Sequence, residues 1–397
     1  MRRIRLPVPI VLFAVPLVAI FVACAGSDED GSGGPTFDAG SDDTFVPDSA
    51  APDATDDGAR DVDAEALRCS AELCLVDLPN PGAYGFTRWS FRGVQVDPVI
   101  GAWAIASGEL GVDSATAQLL RFDGAGWKAM HAPVLGAGAD RRSIRLSSLA
   151  ADGAGKLLAV GSAIDDGTGA IVRGDGASFT TETFDVALEA VWFAEPGVAW
   201  AVGRAGAIYR STPDAGWISE SAEQGGDFVA VWGSGPDDVY VGGSKEEDYL
   251  AYGYLGHRTP GGDGGATWTF GTFPELQPRP FGDHTIYAGV AVAGGARFWS
   301  APDVLARGAT DAGATDWSAD PFDAPVAMNA FWARAANDIW AVGNVGRVYH
   351  FDGASWKDMR LVFNGAPLVA NLTGIAGTSA GELFIVGDGI ALRRKAP

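Results

Sequence analysis

The chain has 397 residues, 55 of them glycine and 13 tryptophan, and 47% are hydrophobic. That is a globular composition with an excess of glycine, which suits many tight turns. A formal charge of −22 argues against nucleic acid as a partner, because phosphates are met by clustered Lys and Arg.

Residues 1–24 read MRRIRLPVPIVLFAVPLVAIFVAC. Arg2, Arg3 and Arg5 precede an apolar run, the order of a secretory signal peptide. The stretch resembles a bacterial lipoprotein signal, in which small residues precede a Cys that receives lipid and becomes the mature N-terminus. Val22 and Ala23 hold the small positions. Phe21 stands where that pattern has Leu, Val or Ile, and Cys24 is the expected lipidation site. An uncleaved membrane anchor is the alternative, for which the run is barely long enough. Both readings place the remainder outside the cytoplasm, in the cell envelope, with inner or outer membrane left open.

Residues 25–66 carry 13 acids, one Arg and almost no large apolar groups. Such a stretch cannot bury a core, and its like charges extend it, so it reads as a disordered acidic tether. Cation binding by these acids is a weaker alternative, since they lack glycine-spaced ligand loops. Residues 67–397 retain 37 acids and 24 bases. With Cys24 assigned to lipid, Cys69 and Cys74 remain as a pair in an oxidising compartment, and a local disulfide is expected. Two ligands are too few for a zinc site.

The rest of the chain repeats with a period of roughly 40 to 60 residues, the range of propeller blades. The β-rich centres align on Trp103, Leu158, Trp200, Tyr240, Trp299, Trp340 and Phe384, which makes seven units. Each unit opens with an apolar, small-residue strand such as FVAVWGSG (228–235) or MNAFWARA (328–335). The large-residue strand follows, then a Gly-bounded turn such as GNVG (343–346) and a third strand such as RVYHF (347–351). A turn with Asp and Gly leads to an aromatic that opens a fourth strand, as in DGAGW (123–127), DGASF (175–179) and DGASW (352–356). Four short antiparallel strands cannot bury both faces alone; stacking such sheets around an axis does so and leaves only short edges. The fold class expected is therefore all-β, a seven-bladed β-propeller over 67–397, with the N-terminal segment closing the last blade. Within 74–91 the stretch FTRWS is the candidate outer strand of blade seven.

At these residues the chain resembles the Asp-box and photosystem-assembly-factor-like propellers, a group that overlaps sialidase-type folds. The Asp box reads Ser-x-Asp-x-Gly-x-Thr-Trp between third and fourth strands. GGDGGATW (261–268) matches it at Asp263, Gly265, Thr267 and Trp268, with Gly261 in place of Ser. The units also resemble VWGSGPDDVWAVG propeller repeats of myxobacterial lipoproteins. The resemblance covers 86–397 and implies the fold; function is another matter, because propellers host unrelated activities. A sialidase would need an Arg-Ile-Pro-like motif at the first blade, and RIRLP occurs only in the signal. No Gly-x-Ser-x-Gly elbow, Walker loop or His-Glu-x-x-His site is present. The histidines 131, 257, 284 and 350 are scattered, with His350 read as structural. No enzymatic activity, cofactor or metal is expected.

All 13 tryptophans fall at repeat positions, which favours packing over carbohydrate stacking. They divide into first strand (192, 232, 332), second strand (103, 200, 299, 340) and fourth strand (89, 127, 217, 268, 317, 356). Loops joining second to third strands share a face with those joining one blade to the next, and on that face the sequence varies. Long connections are expected at 106–118, 162–170, 243–251, 131–145 and 274–285. Binding residues concentrate on loops held by a rigid scaffold. Arg141, Arg142 and Arg145 form a basic patch there, and Tyr249, Arg279, Phe281 and His284 are further candidate partner contacts. The reading that results is a monomeric lipoprotein acting as a protein-binding or assembly scaffold. A carbohydrate-binding module for envelope or extracellular polysaccharide is the alternative, and a glycoside hydrolase a weaker one.

Overall fold

In a computed structural model, the structure describes residues 68–396 except 111–113, 222–224, 248, 262–264, 277–281, 303, 312–313 and 323. These belong to the contact unit Asp57–Pro397. Cys24 and the tether, and with them the lipidation and tether readings, lie outside the described residues.

Among the described residues, seven antiparallel sheets of four or five strands follow one another along the chain, with a small hairpin, Val362–Phe363 and Ala366–Pro367, between the sixth and the seventh. Blade three is representative, with strands Leu188–Glu195, Val198–Gly203, Ile208–Thr212 and Gly216–Ser219 in spatial order. Blade six has Met328–Ala335, Asp338–Gly343, Arg347–Phe351 and Trp356–Arg360. The architecture is the seven-bladed β-propeller expected from the repeat.

The first strands line a central channel of about 440 Å³. Their small residues have a specific cause. Trp192, Trp232 and Trp332, in the first strands of blades three, four and six, each lean on a glycine of the next blade. A Cβ on Gly289 would lie 2.2 Å from the Trp232 ring, one on Gly233 2.9 Å from Trp192, and one on Gly377 2.8 Å from Trp332. Each glycine is thus a slot for the preceding blade's indole. Six first strands also carry a register shift near their start, at Arg92, Ser147, Glu189, Val229, Asn329 and Thr373. A bulge adds a residue to one strand and re-aims its side chain, and all six line the channel. Two of them stitch neighbours together. Thr373 Oγ1 donates to Phe91 O at 2.8 Å, and Asn329 Nδ2 donates to Leu372 O at 2.8 Å.

The Asp-Gly turns between third and fourth strands are closed by the Asp itself. Asp123 Oδ1 accepts from Ala125 N and Gly126 N, Asp175 Oδ1 from Ala177 N and Ser178 N, and Asp352 Oδ1 from Ala354 N and Ser355 N. The following Gly124, Gly176 and Gly353 have φ of 103°, 86° and 96°, a region that L-residues avoid.

The N-terminal segment closes blade seven, through other residues than FTRWS. Blade seven supplies Leu372–Gly377, Leu383–Gly387 and Ile390–Arg394, and its outer strand is Leu73–Leu75, with Cys74 opposite Arg393 and Leu75 opposite Leu392. Trp89 instead opens the first strand of blade one, Trp89–Asp97, opposite Gly108. Blade one needs an inner strand of its own, and the nine residues from Trp89 supply it. A three-residue closing strand is too short to show a period in sequence. Cys69 and Cys74 are disulfide-bonded across the small hairpin that presents this strand, and Leu73 is buried beneath it.

Candidate functional site

Antiparallel pairing places the start of every first strand beside the end of every second strand, as with Leu188 opposite Gly203 and Asp227 opposite Ser244. The connections emerging there form one face of the ring. Exposed large apolar side chains gather on it: Ile164, Tyr249, Tyr287, Val345 and Val369. In the turns of the opposite face, among the described residues, Val99 stands alone in that respect. The same face holds non-glycine residues in the left-handed region, Ala205 (φ 55°), Tyr249 (φ 67°) and Val345 (φ 56°). A β-branched residue there is an outlier that costs energy. The Val345 N–H is held by Asn371 Oδ1 at 3.3 Å, and Gly346 N by Ala370 O at 2.8 Å.

The basic patch is carried by the connection from blade one to blade two. Val134–Leu135 pairs with the start of the first strand of blade two and makes a raised hairpin. Arg141 is exposed, with no ion pair or side-chain hydrogen bond among the described residues. Arg142 is committed to structure, donating to Asp166 Oδ2 at 2.5 Å and to Thr168 Oγ1 at 3.4 Å, which ties the hairpin to the second turn of blade two. Arg145 is exposed and has no partner among the described residues, and with Arg204, Glu189 and Ile164 it lines a cleft of about 350 Å³ between blades two and three. Tyr249 is fully exposed. Arg279 and Phe281 lie outside the described residues. His284 is corrected as a surface contact: it is 3% exposed beneath the face, and its Nε2 has no hydrogen-bond partner among the described residues. The expected loop 243–251 is also different in kind. It is a paired hairpin, with Ser244 opposite Gly253 and Glu247 opposite Leu250; so is 106–118 of blade one, through Leu110 opposite Ser114. Ile164, Arg204, Tyr287, Val345 and Val369 escaped the sequence reading. An apolar residue beside a Gly-rich turn was the available signal, but it does not separate exposed from buried.

Two histidines have structural partners. His257 Nε2 donates to Asp238 Oδ1 at 2.8 Å and stacks on Tyr240 with centroids 4.1 Å apart; His350 Nε2 donates to Asp338 Oδ1 at 2.9 Å and stacks on Trp340 at 4.3 Å. Ser234 Oγ also donates to Asp238 Oδ2, at 2.5 Å, and Arg297 Nη2 lies 3.1 Å from that oxygen. The carboxylate, not the imidazole, is therefore central, which is the wrong order for activating a hydroxyl nucleophile. Burial would raise the Asp238 pKa, but hydrogen bonds from His257 and Ser234 and the charge of Arg297 outweigh it and hold it well below the usual range. Asp338 follows the same pattern: burial is outweighed by bonds from His350 and Trp340 and the charge of Arg334. These pairs fasten the second strand to the third.

The described residues thus define a β-propeller with one ornamented face. No protein-family model matches the chain, and no curated protein matches it. Among solved structures it is similar to YCF48 bound to a D1 peptide (15% identity, TM-score 0.54, 82% of this chain and 95% of that one). It is also similar to YCF48 from Cyanidioschyzon merolae (14%, 0.53, 83% and 99%). The WD40 repeats of RRP9 match at 10% identity and TM-score 0.55, over 82% of this chain and 98% of that one. At these identities the likeness concerns the fold.

Proposed function

We propose that the chain is a non-enzymatic, lipid-anchored propeller of the cell envelope that binds a protein partner through its ornamented face. The observation that carries this is the asymmetry of the two faces. Exposed aromatics and aliphatics, backbone outliers and unpaired arginines gather on one face, while the other is built of turns closed by their own Asp residues. Strain and exposed apolar groups are costs that a fold retains where they serve binding. The structure of YCF48 with a D1 peptide is one case of this fold holding a polypeptide, and it supports a protein over a small ligand here. The carbohydrate reading has less support, because each of the 13 tryptophans is buried or half-buried, leaving no free indole platform for a sugar ring.

The test is capture by the immobilised chain from envelope extract of its own organism, with half of the extract protease-treated. Binding that disappears with protease supports the scaffold reading; binding that survives protease overturns it in favour of a glycan. Arg141→Ala with Arg145→Ala should weaken capture several-fold and leave the unfolding midpoint unchanged, since neither side chain has a partner among the described residues.

A further inference from the structure

In blade four the second and third strands, Asp238–Glu247 and Leu250–Pro260, stay paired beyond their neighbours. The first strand ends its pairing at Asp227 opposite Ser244, and the fourth at Thr272 opposite Tyr254. Pairing nevertheless continues through Lys245–Tyr252, Glu246–Ala251 and Glu247–Leu250. The hairpin therefore extends roughly 10 Å past its neighbours, with neither edge paired to another strand among the described residues. Lys245 braces it, 3.2 Å from Glu247 and over the Tyr254 ring. Tyr249, at its tip, is fully exposed in the left-handed conformation. Glu246 and Glu247 are exposed beside it. The result is a finger with an aromatic tip and acidic flanks.

The cleft between blades two and three has the opposite character. Among the described residues Arg145 has no partner, and Arg204 has one, Glu189 at 3.3 Å. Ile164, 45% exposed, forms part of the wall. A guanidinium-rich, partly apolar cleft suits a tyrosine ring flanked by carboxylates, because Arg both stacks on aromatic faces and forks onto carboxylates.

We propose that finger and cleft are the two halves of one contact between two copies of this chain docked face to face. Both features lie on the same face. A two-fold axis across that face presents the finger of each copy to the cleft of the other, so one complementary pair generates two contacts. Once the first contact forms, the second is intramolecular and adds avidity without a new surface. The inference rests on the reading of this face as the interaction face, and it replaces the monomer expected from the sequence. The net negative charge of each copy opposes association, so the local charge pairing must carry the contact.

The test is sedimentation velocity of the full-length chain in a nonionic detergent at rising concentration. The wild type should form a dimer. Glu246→Arg with Glu247→Arg should stay monomeric, as should Arg145→Glu with Arg204→Glu, because each then sets like charges against each other. An equimolar mixture of the two variants should recover the dimer, since every finger then meets a cleft of opposite sign. Tyr249→Ala should loosen the dimer about tenfold, as expected for an anchoring aromatic. Circular dichroism of each variant checks that the fold is retained. A chain that is monomeric at all concentrations, a dimer indifferent to both variants, or a mixture that fails to recover would each overturn the proposal. Capture of an envelope protein is scored separately, so loss of the dimer alone leaves the scaffold reading in place.

Discussion

At the scale of single residues, the propeller is held by pairs that recur from blade to blade. Trp232 and Gly289 show the logic: the indole occupies the volume where any side chain on the glycine would sit. Gly289→Ala should cost about 1–3 kcal/mol through overpacking, measured as a lower denaturant midpoint. Gly124→Ala, with nothing within 4 Å of its would-be Cβ, should be strained by its φ but not by contact. The Asp–His pairs make a second residue-scale expectation. Both Asp238 and Asp338 have folded pKa values below their unfolded ones. Their stabilisation is therefore fully present above the ordinary aspartate pKa of about 3.9 and is lost as pH falls through the depressed folded values. Thermal midpoints should decline below about pH 4, and less steeply in the double variant Asp238→Asn/Asp338→Asn, which starts lower at neutral pH. An identical acid decline in both proteins would show that other carboxylates control it.

At the scale of elements, the ring depends on a clasp of three residues. Leu73–Leu75 completes blade seven, and its hairpin is cross-linked by Cys69–Cys74. The disulfide closes a short loop and does not itself join the hairpin to the blade. Its contribution is to present the closing strand in a paired conformation, with Ser70 Oγ accepting from Val362 N and Leu73 packed under it. By loop entropy such a short cross-link is worth roughly 2 kcal/mol. Cys69→Ser with Cys74→Ser should lower stability by about that amount and speed hydrogen exchange first at Ile390–Arg394, the strand beside the clasp. Exchange that rises equally in all seven blades would show that the hairpin does not act as a local closure. The clasp was only partly legible. The need for a closing strand followed from a seventh unit that ends after its third strand, and the expected segment, 74–91, overlaps the closing strand only at Cys74 and Leu75. The register was not legible, because three residues carry no usable alternation, whereas FTRWSF looks like a strand and from Trp89 onward is one, in blade one.

At the scale of the whole molecule, closing the ring sorts the connections onto two faces and makes one of them a platform. The blade count, the strand order and the identity of the variable face were legible because the small-residue first strand, Asp-Gly turn chemistry and a large residue at a fixed offset are local signals. Trp340 and Tyr240 could be aligned without knowing what they touch. The candidate site was legible only as a face. Arg141, Arg142 and Arg145 look equivalent in sequence, yet Arg142 is spent on Asp166, 24 residues away, while the other two have no partner among the described residues. His284 lies among exposed-looking polar residues and is buried. The finger in blade four reads as an acidic loop until its pairing across the tip is seen. By itself the sequence determined the repeating blade, because each blade is specified by contacts within about 45 residues of chain. Only the tertiary structure decided which strand closes the ring, which arginines remain unpaired and which aromatic stands clear of the surface. Those outcomes depend on partners brought together from distant parts of the chain, as Cys74 meets Arg393, and no local pattern encodes such a meeting.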